Sequence, residues 1–164
     1  MQQLKKLFKM QQALDAHIEE KHQLQEEDLF NRKILALLVE IGELANEARS
    51  FKFWSVKPSS AKEVILEEFV DGIHFMLSVG IECGFHETPF ELNKKPSSLN
   101  VTNQFLSIYE LITIFQKSKG LQDYLAMFEA YSQLAELLGI SNEEMVQAYI
   151  QKNDVNYQRQ RQNY

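Results

Sequence analysis

The chain has 164 residues, 45% hydrophobic and 24% charged, which suits one domain with a sizeable core and argues against a disordered chain. A formal net charge of -6 argues against a protein that coats duplex nucleic acid, which would need a basic face. Cys83 is the only cysteine, so an intrachain disulfide and a cysteine-based zinc site are both excluded, and a reducing, cytoplasmic setting is expected.

Glycine and proline are scarce, and Leu, Glu, Gln, Lys and Ala fill much of the rest, which predicts an all-α fold. The segment Met1 to Met10 runs into Gln11 and Gln12 rather than an apolar stretch, so no export signal and no membrane span are expected. Leu4, Leu7, Phe8, Leu14 and Ile18 recur at helical spacing and predict a first helix from Leu4 to about Gln25. A second, long helix is predicted from Leu29 to Phe53 on the stripe Ile34, Leu38, Ile41, Ala45 and Ala48. Ser60 and Glu63 have capping-box spacing and predict the start of a third helix, which ends near Cys83, before Gly84. Phe85 to Asn100, with Pro89 and Pro96, reads as an irregular connection. Two more helices, Val101 to Lys119 and Leu121 to Leu138, are separated by Gly120, and Gly139 ends the fifth. Ser141 and Glu144 make a second capping box and open a sixth helix that runs toward a polar tail, Gln158 to Tyr164. The expectation is a single all-α domain over residues 1–164: a bundle of about six helices.

Glu40 and Glu43 stand three apart on the second helix and share a face, which Glu47 continues one turn later. Leu37 and Leu44 flank Glu40 at helical spacing, so this acid interrupts an apolar stripe, where an unpaired carboxylate is costly. The third helix repeats the pattern with Glu68 and Asp71, flanked by Val64 and Phe75. Four such acids on adjacent helices repel unless protonated or joined by a cation, and an all-oxygen donor set selects magnesium, manganese or calcium. Magnesium is the cellular default; it keeps part of its water shell and binds phosphate oxygens, so the chemistry implied is phosphoanhydride hydrolysis. A single Glu-x-x-Glu is usually a solvated face; two pairs embedded in apolar stripes point beyond it. Asp71 and His74 also have the carboxylate-x-x-His spacing of di-iron bundles, but Glu19 and His22, the other such pair, sit beside a charged turn. On the last helix Lys152, Asn156 and Arg159 lie at i, i+4 and i+7, offering two cations and an amide on one face. A charged surface stripe is the plain alternative.

The series Glu40-Ile-Gly-Glu43, Phe51-Lys-Phe-Trp54 and Glu68-Phe-Val-Asp71 resembles the dimeric all-α dUTPase family, related to the MazG-like NTP pyrophosphohydrolases. Met10-Gln11-Gln12-Ala13-Leu14-Asp15 is similar to that family's first segment, with Asp15 where the family often has Asn, and Lys152, Asn156, Arg159 and Tyr164 are similar to its last. The resemblance implies a four-helix metal-binding core in which Glu40, Glu43, Glu68 and Asp71 hold two or three magnesium ions bridging a nucleotide triphosphate. It further implies a homodimer, dUTP and dUDP as substrates, and dUMP with pyrophosphate as products of dUTP. A water of lowered pKa would be the nucleophile, with Glu43 accepting or orienting its proton. Gln12 and Asp15 would read the uracil edge, and Lys152, Asn156, Arg159 and Tyr164 would hold the substrate. Trp54 suits packing on a flat base, whereas Phe51 and Phe53 are expected to close the core. The other functional readings are a MazG-like enzyme of broader nucleotide specificity and a non-catalytic helical interaction module.

Overall fold

The computed structural model describes residues 2–93 and 95–162, with only the backbone of Gln2. Among them are six α-helices: α1 (Gln2–His22), α2 (Phe30–Ala48), α3 (Lys62–Glu82), α4 (Val101–Ser118), α5 (Leu121–Leu137) and α6 (Asn142–Arg161). Among the described residues no helix is long and apolar enough to cross a membrane. The apolar stripes meet in one core: Leu37, Ile41 and Leu44 of α2 pack with Phe69, Met76 and Leu77 of α3, and with Ile108, Ile112 and Phe115 of α4. Tyr124, Tyr131 and Leu134 of α5 and Tyr149 of α6 complete it. The most extensive packing joins α2 to α3 and α4 to α5, each pair linked by its own connection; α3 is the hub, touching α1, α2, α5 and α6. α3 is accordingly the most apolar of the long helices and is buried along most of its second half.

Two helix ends differ from the sequence expectation. α2 stops at Ala48, five residues short of Phe53, because Arg49 turns left-handed (φ 60°) and donates its N–H to Ala45. The Arg49 guanidinium then bonds the Ser55 hydroxyl at 2.7 Å and the Lys57 carbonyl at 3.2 Å, so one side chain organises the loop that follows. The Ser60–Glu63 capping box does not form: Ala61 is the N-cap of α3, and the Ser60 hydroxyl and N–H both go back to Glu47, on its carboxylate and its carbonyl. The second box forms as expected, with Ser141 Oγ accepting from the Glu144 N–H and the Glu144 carboxylate accepting from the Ser141 N–H. The connection after α3 contains a 3-10 turn, Phe85–Glu87.

Candidate active site

Glu40, Glu68 and Asp71 each direct one carboxylate oxygen to a common point, with the three atoms within 4.8 Å of one another. Helical periodicity explains it: Leu37 and Leu44 are fully buried, so α2 must turn Glu40 inward with them, and on α3 the buried Ile65 and Gly72 do the same for Glu68 and the buried His74 for Asp71. Burial pushes Glu40 up to about 7, with Asp71, Glu43 and Glu68 adding like-charge repulsion and Lys152 opposing it. Glu68 and Asp71 are raised as well, chiefly by burial. Glu43 is exposed and lies outside the tight triad, yet its charge bears on both Glu40 and Glu68. Three converging hard oxygens with too little positive charge beside them are the donor set a divalent cation takes, so the residues fit such an ion.

Lys152 reaches across from α6. Its buried ammonium donates to Asp71 Oδ2 at 2.7 Å and to Glu67 Oε1 at 3.0 Å, so Glu40 and Glu68 feel it only at a distance. Arg159, two turns further along α6, lowers the Asp71 pKa through its charge, which brings the predicted Lys152–Arg159 face to the acids. Asn156 lies between them, half-buried.

One turn below the acids a buried polar layer joins α1, α3 and α6. Gln11 accepts from the Tyr149 hydroxyl at 2.8 Å and meets His74 Nδ1 at 2.7 Å with the same oxygen, while its amide donates to Asp15 Oδ1 at 2.7 Å. Since that oxygen can only accept, His74 carries its proton on Nδ1, which leaves Nε2 a buried acceptor without a protein partner among the described residues. Burial, with Lys152 nearby, lowers His74 to about 3, so the ring is neutral at physiological pH. The second Asp15 oxygen accepts from Ser78 at 2.6 Å, and Lys33 stands 3.6 Å away. Gln12 is exposed at the edge of this layer, bonded to His86 at 3.2 Å. The carboxylate-x-x-His alternative is not assembled: His74 is outside the metal-sized triad, and Glu19 is paired with Lys33.

The α2–α3 connection leaves from the end of the helix pair nearer Glu43 and Glu68, and carries an aromatic cluster. Trp54 is 65% exposed and meets Phe53 and Phe51 edge-on, at 5.1 and 5.9 Å between centroids. Phe53 is 93% exposed and Phe51 is exposed too, so neither closes the core as expected. The helix ends before they can be turned inward. Tyr164 falls outside the described residues.

Residues 3–164 match the family described as dUTPase. The chain belongs to the dUTPase family. No curated protein matches it. As a dUTPase it is a dUTP diphosphatase acting on a nucleotide, and its all-helical architecture agrees with the all-α dUTPase fold. Several residues of this dUTPase escape a reading by spacing. Glu67 shares Lys152 with Asp71, although it stands on the outward face of α3. Gln11, Ser78 and Tyr149 carry the buried polar layer, each hidden among the apolar residues of its own helix. Their one legible signal is a polar residue at a core position, which in isolation names no partner.

Proposed function

We propose that this dUTPase hydrolyses dUTP to dUMP and pyrophosphate, and dUDP to dUMP and phosphate, in a magnesium-dependent reaction at the acid cluster. The observation that carries the reading is the convergence of Glu40, Glu68 and Asp71, with Glu40 pushed up to about 7. Glu40, Glu43, Glu68 and Asp71 would hold two or three magnesium ions, which when bound neutralise the phosphate chain and lower the pKa of an attacking water. Glu43, exposed at the edge of the cluster, orients that water and takes its proton. Lys152, Asn156 and Arg159 bind phosphate oxygens from α6, Lys152 exchanging part of its hold on Glu67 and Asp71 for the substrate.

Trp54 packs on the base, and its exposure beside two further aromatic rings supports this, since such a surface gains by covering a flat ring. Gln12 and Asp15 serve the uracil edge, Asp15 by orienting the Gln11 amide that it accepts from. The free acceptor of His74 in the same layer supports a polar group of the base at that place. The enzyme is read as a single domain, residues 1–164, in the cytoplasm, where Cys83 stays a thiol. It is read as a homodimer, which the exposed Leu35 and Val39 of α2 and Leu106 and Ile114 of α4 favour.

Pyrophosphate release from dUTP, dCTP, dTTP and UTP, with and without magnesium, tests the reading. Release should need the cation, favour dUTP, and collapse in Glu43→Gln. Turnover without any divalent cation, or equal turnover of the four nucleotides, sinks it.

A further inference from the structure

Tyr131 and Tyr124, both on α5 and both fully buried, make the same contact with α3. The Tyr131 hydroxyl donates to the Phe69 carbonyl at 2.8 Å, and its ring lies flat on Phe69 with centroids 4.4 Å apart. The Tyr124 hydroxyl donates to the Met76 carbonyl at 3.0 Å. A helix carbonyl has two lone pairs and the i+4 N–H uses one, so each hydroxyl adds a bond without breaking the helix. Glycine makes the approach possible: a Cβ on Gly72 would stand 2.2 Å from the Tyr131 oxygen, and one on Gly80 2.4 Å from that of Tyr124.

What differs is the place along α3. Phe69 follows Glu68 and Gly72 follows Asp71, so the Tyr131 contact grips the backbone at both acids, whereas Met76 and Gly80 lie beyond the cluster. Tyr131 is near enough for the charges of Glu40, Asp71 and Glu68 to bear on its hydroxyl. The other acid-bearing helix is held alike: Tyr109 of α4 donates to the Leu38 carbonyl at 3.0 Å beside Gly42, which stands between Glu40 and Glu43. We propose that Tyr131 is a positioning residue for cation binding, its hydroxyl and ring holding the rotation and axial register of α3 so that Glu68 and Asp71 meet Glu40. This rests on the metal reading given above.

The geometry shows why a grip at that point matters. A carboxylate about 6 Å from its helix axis moves by about 2 Å when the helix turns by roughly 20°, which is a whole magnesium–oxygen bond length. Like charges on α2 and α3 favour such a turn, and a contact two turns away along α3 resists it less.

Tyr124→Phe is therefore an internal control for Tyr131→Phe: each removes one hydroxyl from a matching notch. Wild type and both variants are titrated with Mn2+ by calorimetry at pH 8 and melted without metal. The two variants should melt a few degrees below wild type by similar amounts. Tyr131→Phe should bind Mn2+ about tenfold more weakly, the size of effect seen when a ligand loses its support, with Tyr124→Phe within about twofold of wild type. Gly72→Ala and Gly80→Ala, which push a Cβ against the same two hydroxyls, should divide the same way. Equal affinities throughout, or equal losses from both notches, overturn the proposal. A wild type that binds no Mn2+ is a different result, and it removes the metal reading on which the proposal stands.

Discussion

Two clusters in this molecule gather carboxylates beside one lysine, three in the first and four in the second, and the position of the ammonium separates them. In the first, Lys33 of α2 touches all three acids: Glu19 at 3.1 Å, Asp15 at 3.6 Å and Glu82 of α3 at hydrogen-bond contact. Burial lowers the Lys33 pKa, but the three acids outweigh it and hold the ammonium above its ordinary value, while at Asp15 burial outweighs the lysine and raises the carboxyl. In the second, Lys152 serves Asp71 and Glu67 and leaves Glu40 and Glu68 facing like charge. The first cluster is closed by the protein and ties α1, α2 and α3 together. The second lacks positive charge where its oxygens converge, and that shortage is what suits it to a divalent cation.

The largest effect expected from this contrast is in Glu40→Gln. Hydrolysis of dUTP should fall by more than about 100-fold, beyond the loss seen when only the support of a metal ligand is removed. The metal-free protein should meanwhile gain about 1 kcal/mol at pH 8, because a repelled carboxylate is gone. Denaturant melts and pyrophosphate assays on one preparation check both halves; a variant that is both active and less stable would erase the distinction. Lys33→Met should do the reverse, costing about 2–3 kcal/mol in urea melts by leaving three acids without their cation, with magnesium affinity held within about threefold.

Stability against pH sharpens the comparison further. A carboxyl raised from 4.5 to about 7, as Glu40 is, favours the fold in its neutral form. Its contribution is whole below pH 4.5 and is lost as pH rises through 7. The metal-free wild type should therefore lose stability across that window by this group, and Glu40→Gln should not show the loss. Magnesium should raise the wild-type melting temperature at pH 8 and do so far less at pH 4.5, where Glu40 is protonated. The smallest effect belongs to the aromatic loop: Trp54→Ala should raise the KM for dUTP about tenfold by loss of base packing. Its stability should stay within about 0.5 kcal/mol of wild type, because the ring is exposed. An unchanged KM would return Trp54 to the surface with Phe53.

The helices were legible wherever a local signal stands alone. Of the helix ends expected from periodicity and from glycine or proline, all but the end of α2 fall within a few residues of their expected places, and the Ser141–Glu144 box forms. Ser60 shows how an equally good local signal fails: Glu47, thirteen residues away in sequence but adjacent once α2 and α3 pack, outbids the N-terminus of α3 for its hydroxyl. The end of α2 fails for a related reason, since the guanidinium of Arg49 finds partners at Ser55 and Lys57 only after the turn has formed.

The residue types and spacings by themselves determined that two helices would each carry a pair of acids on a partly apolar stripe, because helical period leaves such residues no other direction. They determined the all-α class and, through resemblance, the family. Tertiary structure alone decided that Glu40, Glu68 and Asp71 form the tight triad while Glu43 stands at its edge. It also decided that Lys152 neutralises Asp71 and Glu67 but not the others, and that Asp15 is spent on Gln11 and Ser78. Those outcomes depend on the rotation of one helix against another, which is set by contacts between residues far apart in the chain, a tyrosine hydroxyl in a glycine notch among them.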